Sequence, residues 1–237
     1  TNNPTLVFQG NITWTETSSP IAWTKGTGTI TLSGGSGTNT LDFDGQSIEA
    51  VTVNASGVVK QLSDNVTVAG LTITAGTLDV STSNYGITVS GNWSNSGTFT
   101  ARSGTVTFNS SGTQTLNAGS SSFNNLTHSG AGTLQLITNT LDMNGDFSQT
   151  AGTFNANSLA QTYAGNFSLS SDTTFTKGGA ITFDGTTAAT YTDSTATPQN
   201  MGAVTITKTN GTASNNKLTL VSSMTVDRMT ISASNTL

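Results

Sequence analysis

The chain has 237 residues, of which 33% are hydrophobic and 8% charged, with a formal net charge of -5 and no cysteine. The missing cysteines exclude a disulfide scaffold and thiolate metal sites. The seven cations (Lys25, Lys60, Arg102, Lys177, Lys208, Lys217 and Arg228) are too scattered for a surface that tracks phosphate. No apolar run approaches the roughly 20 residues of a spanning helix, so neither nucleic-acid binding nor membrane insertion is expected.

Low apolar content fits disorder when net charge is high. Here the charge is small, and the apolar residues alternate with Thr and Ser in short runs, as in strands with one buried face. Residues 1–27 open the chain with strand-like Leu6-Val7-Phe8 and Gly10-Asn11-Ile12-Thr13-Trp14, punctuated by Pro4 and Pro20. They read as an N-terminal cap or degenerate repeat, since the terminal units of a stack are usually atypical. Trp14 and Trp23 suit the covering of an open edge, and equally well an ordinary core.

From Gly28 a pattern recurs at an offset of about 75 residues. Gly28-Thr29-Ile30-Thr31-Leu32 returns as Gly104-Thr105-Val106-Thr107-Phe108 and as Gly179-Ala180-Ile181-Thr182-Phe183. This divides the chain into repeat 1 over 28–104, repeat 2 over 105–179 and an incomplete repeat 3 over 180–237. The final unit breaks off where Leu71-Thr72-Ile73 would continue. That suggests a longer parent chain, or an end completed by a neighbour.

A shorter period lies inside the long one. Gly70 and Gly91, like Gly145 and Gly165, stand about 20 residues apart, each just ahead of an apolar side chain. No apolar stripe of helical period appears. Short strands recurring at this interval are what a coiled parallel sheet requires, each coil presenting its edge to the next at about 4.8 Å. The expected fold is all-β: one continuous right-handed parallel β-helix, or β-solenoid, with coils of about 20–25 residues. Tandem β-sandwich domains would explain the long period and not the short one. Glycine supplies the tight corners, and Asn92, Asn144 and Asn166, each beside a glycine, are placed to ladder their amides there.

The chemistry-bearing residues are sparse. His128, the single histidine, aligns with Val53 and Ile206 and should point inward or sit at a wall edge, with no nucleophile or carboxylate marked as its partner. Asp42 and Asp44, followed by Gly45, are Ca²⁺ candidates, with Asp142 and Asp146 as a second pair. The glycine-rich nonapeptide of Ca²⁺-binding β-rolls is absent, and solvated turn carboxylates are the better expectation. Eight Asn-x-Ser/Thr sequons, at Asn11, Asn54, Asn65, Asn92, Asn109, Asn125, Asn166 and Asn210, are glycosylation candidates. Thr-x-Thr triplets such as Thr105-Val106-Thr107 raise ice binding as a third reading, although they look irregular along the chain. No catalytic residue and no cofactor site is marked.

The Gly-Thr-Val-Thr-Phe and Gly-Asp-Phe-Ser-Gln-Thr-Ala-Gly-Thr-Phe phrases resemble the repeats of large secreted bacterial surface proteins. In style they are similar to filamentous-haemagglutinin and autotransporter-passenger β-helices. The resemblance implies an extracellular, cell-surface rod without enzymatic activity: an adhesin segment, a surface coat or a self-assembling filament. Its expected partners are further copies end to end, or its own continuing chain, and glycans. A glycan-binding or polysaccharide-degrading β-helix is the alternative, because that fold also hosts depolymerases.

Overall fold

The computed structural model describes residues 3–14, 23–209 and 216–237. Among them every regular element is a strand. All strand pairings are parallel, and together they wind a β-solenoid of about 10 turns. Parallel pairing removes the sandwich alternative, whose sheets are antiparallel.

Each coil visits three faces in turn. Face I is a 9-stranded ladder containing Thr105–Phe108, Asn125–His128, Phe147–Gln149 and Phe167–Leu169. Face II carries Thr29–Ser33, Trp93–Asn95, Thr113–Asn117, Thr133–Leu136 and Thr153–Asn155. Face III carries Leu141–Met143, Gln161–Tyr163, Ile181–Phe183 and Ala203–Ile206. Near the N-terminal end the long strands Ala50–Leu62 and Leu71–Asp79 bend around the corner between faces II and III, with register shifts after Val53 and Asn54. Leu6–Phe8 already pairs with Thr29–Ser33, so the opening segment is itself a rung.

The register shows the short period directly. On face I, Ile87 stacks on Val106, Val106 on Leu126, Leu126 on Phe147 and Phe147 on Phe167. The long period does not count whole coils. The three aligned segments Thr29–Ser33, Thr105–Phe108 and Ile181–Phe183 lie on faces II, I and III respectively. Each recurrence of the 75-residue pattern therefore moves to another face, and the molecule runs through it without a boundary.

Alternation explains why these strands form. Along Thr105–Phe108, Asn125–His128 and Thr133–Leu136 every second residue is buried and the others face out. Inward residues meet their like one coil away. Phe147 stacks on Phe167 with ring centroids 5.0 Å apart, Phe167 on Tyr191 at 5.6 Å, and Phe154 on Phe175 at 5.4 Å. Trp93 fills the middle of the rod against Phe99 at 4.9 Å and Phe123 at 5.1 Å. At the corner between faces I and II, Gly112, Gly132 and Gly152 pile on one another. A Cβ on Gly132 would collide with the Gly112 carbonyl, and Gly152 also holds a φ of 63° that side chains disfavour.

Phe167 touches five rings: Phe147, Tyr163, Phe175, Phe183 and Tyr191. Phe167→Ala should cost about 3–5 kcal/mol, as other buried Phe→Ala changes do. Urea unfolding followed by circular dichroism would show the drop in midpoint.

Candidate functional site

The outward positions of face I form its most regular feature. Ser47, Thr67, Thr88, Thr107, Thr127, Ser148, Ser168 and Thr192 follow one another as register partners, an unbroken hydroxyl ladder. The positions two residues before and after each rung from Thr67 to Thr192 are Gly, Ala, Ser, Thr or Asn, with Asp146 the one charge. Thr105-Val106-Thr107 stands on this face, but other Thr-x-Thr triplets are spread over the remaining faces, and the rank is built from single hydroxyl positions one coil apart.

Asparagines at strand entrances tie successive coils. Asn65 Oδ1 accepts the Gly86 N–H at 2.7 Å, Asn125 Oδ1 that of Asp146 at 2.9 Å, and Asn166 Oδ1 that of Thr190 at 2.9 Å. Asn92 does the same for Thr115 at 2.9 Å and Asn11 for Thr40 at 3.0 Å. Asp146 Oδ1 substitutes for asparagine toward the Asn166 N–H at 2.8 Å. The expected amide-on-amide ladder at Asn92 and Asn166 is thus replaced by amide-to-backbone bonds. Asn144 is exposed. Five of the eight sequons, at Asn11, Asn65, Asn92, Asn125 and Asn166, are engaged in this way, while Asn54 and Asn109 are exposed and Asn210 lies outside the described residues.

His128 points inward and is fully buried. It stands between Phe108 and Gln149 on the face I ladder, and both ring nitrogens lack a hydrogen-bond partner. Burial pulls its pKa down to about 4. The other inward polar groups serve corners. Gln114 Nε2 donates to the Val89 and Gly91 carbonyls at 2.9 and 2.6 Å, and Gln149 Nε2 donates to those of Gly152 and Thr174 at 2.8 and 3.1 Å.

Asp42 and Asp44 sit at a corner beside Asp64, one coil on. Asp42 Oδ1 accepts the Asp44 N–H at 3.1 Å, and Asp64 accepts the N–H groups of Phe43 and Gly45. Burial raises the Asp64 pKa, and the negative charges of Asp42 and Asp44 add to the rise. Sequence reading missed Asp64; only the coil period could have placed it there. Asp142 accepts a hydrogen bond from Ser122 Oγ at 2.5 Å, and its charge helps burial raise the pKa of Asp184. Among the described residues, no group of three or more His, Asp or Glu side chains is arranged to hold a metal.

Two of the seven cations are buried. Lys60 Nζ donates to Asn39 Oδ1 at 2.7 Å and to the Gly34 carbonyl at 3.2 Å. Lys208 Nζ donates to the carbonyls of Asp184 and Ala164 at 2.6 and 2.9 Å. Desolvation lowers both pKa values. The two lysines bind corner carbonyls and are lost to any outside ligand. Neither a protein-family model nor a curated protein nor a solved structure matches this chain.

One ion pair joins an exposed arginine to a buried carboxylate. Arg102 grips the buried Asp79 through Nε at 2.6 Å and Nη2 at 2.7 Å, and these bonds hold the carboxyl below its ordinary range. The native state then binds fewer protons than the unfolded chain below about pH 4, so the pair's stabilisation is present above that pH and lost as pH falls. Arg102→Met should flatten this acid limb in urea midpoints measured between pH 5 and 2. A change confined to the exposed Asn166, Asn166→Ala, should cost about 1 kcal/mol at any pH in the same assay.

Proposed function

We propose that the chain is a non-catalytic extracellular rod of a bacterial surface, used as an adhesin segment, a coat or a filament element. The observation that carries this reading is the division of labour between its side chains. Apolar residues fill one continuous interior, while hydroxyls and amides either face out or tie one coil to the next. The interior cavities have volumes of about 10 and 30 Å³, room for no substrate. Larger hollows of about 300 and 400 Å³ lie toward the two ends, around Trp23 and Glu49 and around Lys217 and Leu220. The resemblance of the repeat phrases to filamentous-haemagglutinin and autotransporter-passenger repeats supports the surface location. Glycan binding is the alternative: among the described residues the large hydrophobics that stand exposed (Val7, Val221, Ile231 and Leu237) are aliphatic, and half-buried Trp23 in the hollow near Glu49 is a ring on which a sugar could pack.

The face I ladder favours a second reading, ice binding. A rank of methyls and hydroxyls repeating at about 4.8 Å is suited to a ligand that is itself a lattice. The two readings separate in one set of measurements. A rod alone should scatter X-rays as a particle about 50 Å long, leave neutral and acidic polysaccharides uncut, and leave ice growth unchanged. Release of reducing ends would overturn the non-catalytic reading. Arrest of ice growth that is abolished in Thr107→Lys and Thr127→Lys would assign face I to ice.

A further inference from the structure

We propose that the coil carrying His128 is an acid-labile joint, which opens in mildly acidic surroundings while the rest of the rod stays wound. The geometry has three parts. His128 is the last residue of its strand Asn125–His128 and is wholly buried, and the chain beyond it enters the corner at exposed Ser129. Neither ring nitrogen has a hydrogen-bond partner, and the Oε1 atom of its ladder neighbour Gln149 has none either. No charge faces the ring from the strands packed on it. Thr105–Phe108 and Phe147–Gln149 contain no titratable residue, and neither do Thr113–Asn117, Thr133–Leu136 and Thr153–Asn155 across the interior. On face III, Asp142 is half-buried on the outward side of Leu141–Met143 and bound by Ser122, and the buried hydroxyl of Tyr163 stays neutral because burial raises its pKa.

An imidazolium here would be buried without a counter-charge, so the ring must stay neutral for the coil to stay closed. In the unfolded chain it takes a proton near pH 6.5; in the closed coil it does so only near pH 4. Between those values the open state binds more protons, and stability therefore falls as pH falls. Coils in a solenoid contact only their neighbours, which allows the loss to be felt locally. Three other buried ionisable groups of the rod, Lys60, Lys208 and Asp79, are treated differently: each has a hydrogen-bond partner.

Native-state hydrogen exchange read by mass spectrometry on peptides spanning residues 123–137 tests this, with peptides spanning 86–98, two coils away and free of titratable side chains, as a control. From pH 7 to pH 5, after correction for intrinsic rates, the opening equilibrium at 123–137 should rise by about twenty-fold, with no change at 86–98. His128→Leu, whose replacement matches Leu169 further along the same ladder, should abolish the rise; His128→Gln does the same should the leucine variant not fold. A flat profile in the native chain overturns the proposal. So does an equal rise at both sets of peptides, or a rise that persists in either folded variant.

Discussion

In a parallel solenoid each side chain has a fixed neighbour one coil above and another one coil below, about 4.8 Å away. This vertical matching governs the rest of the molecule. It stacks Phe147, Phe167 and Tyr191 in one column, and Val66, Ile87, Val106 and Leu126 in the same column nearer the N-terminal end. A coil that shifted by one residue would turn its whole inward set to solvent. Corners absorb what the columns do not allow. Tyr191 and its partner Leu220 are further apart in sequence than Phe147 and Phe167, yet the column resumes in register.

Matching also explains where polar groups go inside. A corner leaves carbonyls with no strand above them, and the interior cannot hydrate them. Gln114, Gln149, Asn95, Lys60 and Lys208 are spent on those carbonyls, each reaching to or across a coil edge. The buried lysines belong with the glutamines in this respect: they act as donors at corners more than as charges. His128 is the exception. It shares a column with Ile48, Val68, Val89, Phe108, Gln149, Leu169 and Asp193, and its ring nitrogens serve no corner.

How much of this was legible in the sequence depends on what a repeat can report. The coil period showed in the recurring glycines, because every coil needs a corner at the same place. The inward direction of His128 showed through its alignment with Val53 and Ile206, because the alternation of in and out survives any change of face. Its neighbours did not show. Val53 lies on face II and Ile206 on face III, while the contacts that matter, Phe108 and Gln149, are a coil away on face I. Asp64 escaped for the same reason, and so did the hydroxyl ladder, whose members are about 20 residues apart.

The same constraint accounts for the composition. A charge placed at one outward position tends to recur at that position as coils multiply, which sets like charges about 4.8 Å apart along a column. Like charges directly opposite one another in a sheet are destabilising, and a column repeats the penalty at every rung. The corner of Asp42, Asp44 and Asp64 shows it in miniature: burial raises the pKa of Asp64, and the charges of Asp42 and Asp44 add to the rise. Threonine, serine and asparagine escape the penalty: their hydroxyls and amides both donate and accept, so a column of them can satisfy itself and water together. A chain with 8% charged residues and a face of stacked threonines is what parallel winding selects when its outer ranks must repeat. Face I therefore owes its neutrality to the fold first, and any ligand it meets finds a surface that was uncharged for a structural reason.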